Sequence, residues 1–296
     1  MGEPVTMKAL VILRTGKGDH KAVTAALSRE FKAAGIDYEI REASKKKQVE
    51  KLVRKHRDDF DLVVAGGGDG TVSRVLSGLN GSKIPLAIIP MGTGNMIARE
   101  LKIPVDVDGA IAVITGEFDK KKIDAMKIGK HVYVLNAGIG ISAQVIARTK
   151  KKNKRRLGRF AYVTNIVHML RFRPRQINIR LDGEEHHYRA VDVAVSNCGM
   201  VARTVYPRGP EIRPDDGRVD VWVLGMESTL DYVRYILGRM FGRRRKARYL
   251  SATESIEITS PFPMAAQADG NIIGTTPLEV RVLPRALTVI VPPTPA

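Results

Sequence analysis

"VVAGGGDGTVSRVL", residues 63–76, places four glycines and one carboxylate between an apolar run and a helical pattern. A strand, a glycine-rich loop and a helix in this order aim backbone N–H groups and a helix N-terminus at one point, which is typical of phosphate sites. Asp69 would repel a phosphate unless a cation lies between them or it faces a proton donor, so it indicates Mg²⁺ or acid–base chemistry. The alternative is a tight turn whose aspartate caps the next helix.

A second loop, "IIPMGTGNMIARELKIP" at residues 88–104, repeats the order of strand, glycine-rich turn and helix. Gly92 and Gly94 allow a ligand to approach the main chain closely. Thr93 and Asn95 can donate or accept hydrogen bonds to phosphate or ribose. Following the first loop at this distance, the second one favours a shared nucleotide-phosphate site.

The first 125 residues alternate between buried strands and amphipathic helices. Strands are predicted at 7–13, 38–41, 61–65 and 85–90. Several of these strands are apolar on both faces, which predicts a parallel sheet covered by helices on both sides, as in Rossmann-like α/β domains.

The later sequence predicts a mostly antiparallel, β-rich domain. Asp182-Gly183 is a predicted hairpin turn, and one helix is predicted at 229–241. Further strands are predicted at 122–127, 132–136, 177–181, 188–195, 219–224, 255–258, 278–282 and 287–291. We therefore expect an α/β nucleotide-binding domain at 1–125 and a β-rich domain at 126–296, whose extreme C-terminus can pack back on the first domain.

Composition and charge narrow the cellular setting. The chain has 296 residues, 44% of them hydrophobic, and one cysteine, Cys198, so no intrachain disulfide can form and a reducing, cytoplasmic compartment is expected. The net charge is +18, of which seven basic residues lie in the acid-free run 150–159 and six in the acid-free run 239–248, leaving +5 (18 − 13) elsewhere. Such runs bind nucleic acid or anionic lipid by charge, and the alternative is a solvated loop or a localisation signal.

The two glycine loops resemble the catalytic domain of diacylglycerol kinases, as found in soluble bacterial lipid kinases and their sphingosine kinase relatives. The resemblance continues in order along nearly the whole chain. The matching segments are "KKIDAMKIGKHVYVLNAGIG" at 121–140, "IRPDDGRVDVWVL" at 212–224, "AAQADGNIIG" at 265–274 and "LPRALTVIVPP" at 283–293.

The resemblance implies a nucleotide site. Its residues would be Gly67, Gly68, Asp69, Gly70, Thr71, Gly92, Thr93, Gly94 and Asn95. The family's first loop is usually Asn-Pro-x-Ser/Ala-Gly, whereas this chain has "RTGKG" at 14–18, so Arg14 and Thr15 occupy those positions without the Asn-Pro. Ser44 aligns loosely with a family threonine that contacts the nucleotide.

The resemblance also implies a Mg²⁺ site and a catalytic turn. Asp216 would hold the metal, with the backbone carbonyls of Arg213 and Arg218; the alternative is a plain β-turn at Asp215-Asp216-Gly217. The family's catalytic Asp-Gly-Glu becomes Asp269-Gly270-Asn271 here, and an asparagine cannot accept a proton near neutral pH. The base is therefore Asp269, or Asp69, or no side chain.

The resemblance thus implies an ATP- and Mg²⁺-dependent lipid kinase that phosphorylates a hydroxyl of diacylglycerol or a related lipid in the interdomain cleft, with 126–296 as the lipid-substrate and metal domain. It would sit peripherally on the anionic inner face of the membrane, without specific nucleic-acid binding, and a homodimer is left open. The predicted membrane contacts are Lys150, Lys151, Lys152, Arg243, Arg244 and Arg245. One alternative is a kinase of a soluble substrate, because NAD kinases and 6-phosphofructokinases share a GGDG loop. The other, based on Asn271 and the basic runs, is a non-catalytic lipid- or nucleic-acid-binding protein on a kinase scaffold.

Overall fold

A computed structural model describes residues 7–15, 20–43, 46–148, 173–200, 211–225 and 248–294. The first domain is an α/β layer structure in which four parallel strands are ordered β2–β1–β3–β4. The strands are β1 Lys8–Arg14, β2 Asp37–Ala43, β3 Leu62–Gly67 and β4 Leu86–Pro90. The helices are α1 His20–Ala33, α2 Lys46–His56, α3 Asp69–Leu79, α4 Met96–Glu100 and α5 Val107–Thr115, with a 3₁₀ turn at Arg57–Asp59. The predicted parallel α/β domain is confirmed.

Burial explains why these strands are apolar on both faces. All six residues of β3 and all five of β4 are buried. Helix α1 packs with α5 and helix α2 packs with α3, and α3 turns Val72, Val75, Leu76 and Leu79 into the core. A strand covered on both sides has no face left for alternating polar residues.

The second domain is built from antiparallel strands, as predicted. Its elements are β5 Asp119–Ile128, β6 His131–Tyr133, β7 Asn136–Gly140, α6 Ile141–Arg148, β8 Arg175–Leu181, β9 Glu184–Ser196, β10 Val219–Gly225, β11 Arg248–Ala252, β12 Ser255–Thr259, β13 Ala265–Ala268, β14 Asn271–Thr275 and β15 Leu278–Val291. The β8–β9 hairpin turns at Asp182-Gly183, where φ is 48° and 92°. Two positive φ values are what a tight hairpin turn requires.

Two strand predictions were wrong in detail. The predicted strand 132–136 is divided between β6 and β7, because the chain leaves the β5 edge after Tyr133 and pairs instead with β9. The predicted strands 278–282 and 287–291 are one strand, β15, interrupted by a bulge between Leu283 and Leu287. Arg285 has φ 48° at that bulge, where β15 advances four residues and its partner β5 only two, and the two extra residues hide the continuity of the alternation. The predicted helix 229–241 lies outside the described residues.

Strand β15 connects the strands of the two domains within one continuous sheet. Its first half pairs with β12 in the second domain, and its second half lies between β4 and β5, with Val289 opposite Leu86. A single strand therefore connects β4, the outer parallel strand of the first domain, to the β-rich domain. Within the described part of the chain, no helix combines the length and apolarity needed to cross a bilayer.

Candidate functional site

The carboxyl ends of β1, β3 and β4 bring three predicted loops to one sheet edge. Leu13 lies opposite Gly66, and Gly67 lies opposite Pro90, so the points at which the loops after β1, β3 and β4 begin are neighbours. The chain visits β2 on one side of β1 and then returns to β3 on the other. The strand order thus reverses between β1 and β3, and ligands of open α/β sheets bind outside the carboxyl ends at such a switch point.

The two glycine loops touch main chain to main chain. A Cβ on Gly92 would lie 2.6 Å from the Cα of Gly68, so Gly92 does not tolerate a side chain without a backbone shift, and a Cβ on Gly68 would lie a tight 3.1 Å from the Cα of Gly92. Asn95, at φ 50°, closes the second loop: its Oδ1 accepts from the Gly92 N–H at 2.9 Å, and its Nδ2 donates to the Gly92 carbonyl at 3.1 Å. The Asn95 amide is thereby engaged in shaping the loop, whereas Thr93 and Gly94 are exposed at its tip.

Asp69 ties the first loop to the second. It is the first residue of α3, whose N-cap is Gly68, and its Oδ1 accepts from the Ile97 N–H in the first turn of α4 at 3.1 Å. Asp69 therefore satisfies a donor of a different helix and does not cap its own. Its Oδ2 lies beside Gly94 and receives no hydrogen bond from the described residues. Gly70 and Thr71 follow in the first turn of α3, and Thr71 is buried beneath Gly67.

Arg14 brings a cation to the same edge. It ends β1, and its Nε is buried without a hydrogen-bond partner among the described residues. A buried guanidinium donor of this kind is expected to find an acceptor, and phosphate oxygens suit it. Thr15 follows directly, whereas Ser44 lies outside the described residues.

Asp269 is enclosed by hydrogen-bond donors. It has φ 43° in the turn between β13 and β14, and it accepts bonds from Ser73 Oγ at 2.5 Å, Leu135 N at 3.0 Å, Asn136 N at 3.1 Å and Val134 N at 3.3 Å. Burial raises the pKa of the Asp269 carboxyl above its usual range, against the lowering effect of these donors. In the same turn, Asn271 Nδ2 donates to the Asp269 carbonyl at 3.0 Å.

Helix α3 docks on the second domain along its length. Besides Ser73, Ser77 Oγ accepts from the Val132 N–H at 3.0 Å, and the Arg74 guanidinium lies 5.8 Å from the centre of the Tyr133 ring. The helix that begins with Asp69 is thus held by the domain that carries Asp269. Sequence reasoning missed this interface, although two serines four residues apart in the helix were a signal for it.

Two acids of the first domain add further bridges. The Glu50 carboxylate lies 2.8 Å from His131 Nδ1 and 3.1 Å from Arg74. Glu100, at the end of α4, accepts from the Met200 N–H at 2.6 Å and from the Cys198 thiol at 3.2 Å. Helices α3 and α4, which follow the two glycine loops, therefore both contact the second domain through polar groups.

The loop of the predicted Mg²⁺ residues, 213–218, is called the metal loop. It lies against a buried carboxylate that sequence reasoning did not select. Asp124, fully buried on β5, accepts from the Arg285 N–H at 2.7 Å and the Gly217 N–H at 2.8 Å. Burial raises the pKa of Asp124, and the neighbouring charges of Asp215 and Asp216 raise it further. A buried aspartate within a strand gives no pattern in one sequence that separates it from an exposed one.

Within the metal loop, the two aspartates are held differently. Burial alone would raise the pKa of Asp215, but Lys121 at 3.0 Å and Arg213 at 3.4 Å lower it below its ordinary value. Asp216 accepts a 3.2 Å bond from the Arg218 N–H and lies 4.0 Å from the Arg218 guanidinium, a looser arrangement than that of Asp215, so its carboxylate is the better candidate ligand. The described residues hold no group of three His, Cys, Asp or Glu side chains placed to bind a metal. One carboxylate with main-chain carbonyls is a donor set that fits a hard divalent cation.

The predicted membrane contacts at 150–152 and 243–245 lie outside the described residues.

Comparisons with known proteins agree with this architecture. The model of the diacylglycerol kinase catalytic domain matches residues 8–128, and that of the YegS C-terminal NAD kinase beta sandwich-like domain matches residues 135–291. The chain is 27% identical to the diacylglycerol kinase of Bacillus subtilis strain 168, covering 79% of this chain and 78% of that protein. It is also 27% identical to an uncharacterised protein of Synechocystis, covering 86% of this chain but only 61% of that protein. A solved diacylglycerol kinase of Bacillus anthracis strain Sterne shares the fold, with a TM-score of 0.75, 24% identity and coverage of 98% of this chain and 99% of that one.

Proposed function

Because the chain belongs to the diacylglycerol kinase family with a YegS-type C-terminal domain, we propose that it is an ATP-dependent lipid kinase acting on the hydroxyl of diacylglycerol or a related lipid. The observation that carries this proposal is the convergence of three loops at the switch point of the first sheet. The unpartnered Arg14 Nε, the exposed tip at Thr93 and the start of α3 there suit the phosphates of a nucleotide. The lipid would enter from the side of the second domain.

The reaction would be an in-line phosphoryl transfer. The lipid oxygen forms a bond to the γ-phosphorus, the bond from that phosphorus to the bridging oxygen breaks, ADP leaves, and the hydroxyl proton passes to an acceptor. Catalysis of this kind rests mainly on positioning and on neutralising charge. Asp216, with the carbonyls of Arg213 and Arg218, would hold Mg²⁺, which supplies positive charge to the phosphates when bound.

The two candidate bases differ in how many hydrogen bonds their carboxylate oxygens already accept. Both oxygens of Asp269 already accept hydrogen bonds, from one hydroxyl and three N–H groups. Asp69 has one oxygen that receives no bond from the described residues, and it lies between the two glycine loops. This supports Asp69 as the proton acceptor and Asp269 as a positioning residue that fixes α3 against the second domain.

One observation favours a second candidate function. Asn271 stands where the family has a glutamate, and its amide bonds the main chain of its own turn. A family member without that carboxylate could bind lipid without phosphorylating it.

A radiolabelled-ATP assay over a panel of lipids in mixed micelles tests the proposal. We expect label transfer to at least one lipid with a free hydroxyl, dependent on Mg²⁺ and lost in Asp69→Ala. Lipid binding without any transfer would favour the non-catalytic function, and transfer to NAD or a sugar phosphate instead would favour a soluble substrate. The cytoplasmic, membrane-peripheral location is part of the same proposal, since the substrate lies in a membrane.

A further inference from the structure

Helices α2 and α3 lie in close contact near Gly78. A Cβ on Gly78 would lie 2.7 Å from the Val53 Cβ and 3.0 Å from the Glu50 carbonyl oxygen, so there is no room between the two helices. Arg57, directly after α2, donates to the Gly78 and Asn80 carbonyls at 2.9 and 2.7 Å and satisfies the end of α3. The position of α3 therefore depends on α2.

Glu50 extends this helix contact to the second domain. Its buried carboxylate lies 3.1 Å from the Arg74 guanidinium on α3 and 2.8 Å from Nδ1 of His131 on β6. Arg54, one turn later in α2, also lies 3.1 Å from it. We call the group formed by Glu50, Arg74 and His131 the Glu50 bridge. It joins two helices of the first domain to a strand of the second.

The Glu50 bridge holds α3 close to the side that carries Asp69. Asp69, Ser73 and Ser77 recur at intervals of four residues, which places them on one side of the helix. Ser73 and Ser77 contact the second domain on that side, and Arg74 is the next residue after Ser73. A rotation of α3 about its axis would therefore move the Asp69 carboxylate and break the contacts of Ser73 and Arg74 at the same time.

We propose that Glu50 is a positioning residue for phosphoryl transfer, an inference that rests on the proposed function. Acting through Arg74 and His131, it holds α3, and with it Asp69, in place against the second domain. A buried ion pair adds little net stability over an apolar contact, but hydrogen bonds of about 3 Å fix a direction, which apolar packing does not. None of the described contacts of the Glu50 carboxylate involves a glycine loop. Its effect should therefore appear in the transfer step, which needs both domains, and not in nucleotide binding, whose predicted residues all lie in the first domain.

Substitutions at His131 test the Glu50 bridge with the least risk to folding, because this side chain is 34% exposed. His131→Leu removes the donor to Glu50, whereas His131→Asn keeps an N–H group near the position of Nδ1. The assay is the full chain with ATP and a short-chain soluble diacylglycerol. We expect His131→Leu to lower kcat about tenfold with an unchanged KM for ATP, since a misplacement of about 1 Å can cost about 10²-fold. His131→Asn should retain most of the wild-type kcat.

His187→Leu is the matched control for the histidine. Its Nδ1 also has a partner, Asn178 Oδ1 at 2.9 Å, but both residues belong to the second domain, so kcat should stay at the wild-type value. Glu50→Gln removes the charge at the centre of the bridge and should lower kcat by about 10²-fold, again without raising the KM for ATP. Glu30→Gln, at an acid of α1 that pairs with the adjacent Arg29, should leave kcat unchanged.

Amide hydrogen exchange tests the Glu50 bridge without any substrate. The N–H groups of Leu135 and Asn136 donate to Asp269 at the same interface. Their exchange should become about tenfold faster in His131→Leu and stay at the wild-type rate in His131→Asn. This pattern together with no phosphorylation of any lipid would support the bridge while the kinase function fails. Unchanged exchange in His131→Leu would mean that the bridge does not hold this interface.

Three kinetic results would overturn the proposal. His131→Leu and Glu50→Gln could both keep kcat within about twofold of wild type, which would mean that α3 needs no such support. His131→Asn could lose as much as His131→Leu, which would exclude the hydrogen bond as the cause. In His131→Leu, the fall in kcat could be accompanied by an equal rise in the KM for ATP and a lower melting temperature, which would indicate a structural role alone.

Discussion

Asp69 and Asp269 are both predicted catalytic carboxylates, yet the structure holds them in different ways. Asp69 lies at the start of α3 and accepts one bond, from the Ile97 N–H. Asp269 accepts four, from Ser73 and from three successive N–H groups at 134–136, and its pKa is raised by burial. A carboxylate with all its acceptor positions engaged fixes the groups around it, whereas one with a free oxygen can take a proton or face a cation. The number of hydrogen bonds that each carboxylate accepts therefore distinguishes the proposed proton acceptor from the proposed positioning residue better than the sequence motif does.

The largest expected effect is at Asp69. Asp69→Ala should lower turnover by about 10²–10⁴-fold, the usual range for a positioned proton acceptor, while the melting temperature stays near that of wild type. Lipid kinase assays and thermal unfolding on the same preparation measure both. Turnover above about a tenth of wild type in a normally folded variant would exclude a central role for Asp69.

Asp269→Asn should act first on stability. Its amide nitrogen would face N–H donors, leaving two buried groups unsatisfied and lowering the free energy of unfolding by about 3–4 kcal/mol. Ser73→Ala removes a single bond and should cost about 1–2 kcal/mol in the same direction. Urea unfolding checks both values, and a pH–rate profile separates the roles, since a positioning residue leaves its acidic limb in place.

If Asp269 were the base, a different pattern would follow. Asp269→Asn would then lose about 10²–10⁴-fold in turnover in the folded protein, with unchanged ATP affinity, and Ser73→Ala would have little effect on turnover. That result would reverse the assignment of the two carboxylates.

Asp192 extends the comparison to a buried carboxylate whose donors lie at the start of α6. It accepts from the Ser142 N–H at 3.0 Å and the Ser142 hydroxyl at 2.8 Å, at the start of α6, and burial raises its pKa to about 6 from 3.8. The folded state then binds the proton more tightly than the unfolded state, so stability is highest below pH 4 for this group and falls as the pH rises to about 6. The fall is on the order of 2–3 kcal/mol.

Urea unfolding across this pH range in wild type and Asp192→Asn measures that fall. The variant should show a flatter decline, while Asp58→Asn, at an exposed carboxylate, should follow wild type. A decline of equal size in Asp192→Asn would mean that other groups cause it, with Asp220, whose pKa burial also raises to about 6, as the first candidate.

Much of the fold was predictable because its signals are local. Buried parallel strands appear as short apolar runs, and the hairpin at Asp182-Gly183 has its own turn chemistry. The bulge in β15 was not predictable, because the looped residues 284–286 break the alternation without ending the strand.

The same distinction between local signals and contacts distant in sequence applies to the candidate site. The glycine loops follow strands whose carboxyl ends meet at one edge, so the sequence could predict that they lie together. The roles of Asp124, Ser73 and Ser77 depend on partners 55 or more residues away, such as Arg285, Asp269 and Val132, and a single sequence does not show such contacts. The proposed role of Asp269 changed from base to positioning residue for this reason, since its donors come from β6–β7 and from α3.

The smallest effect is expected at Asn271, two residues from Asp269 in the same turn. Asn271→Glu restores the family's carboxylate and gives up the 3.0 Å bond from Nδ2 to the Asp269 carbonyl. The turn keeps its other contact, from the Gly270 N–H to Gln267 Oε1, so the fold should survive. If Asp69 already accepts the proton, turnover should stay the same or rise by less than about tenfold, because a second base adds little to a reaction that depends on positioning. Asn271→Gln, which has the same length without the charge, is the matched control in the same lipid assay. A rise of about 10² or more for Glu but not for Gln would show that the missing carboxylate limits this enzyme, and would transfer the role of base from Asp69 to position 271.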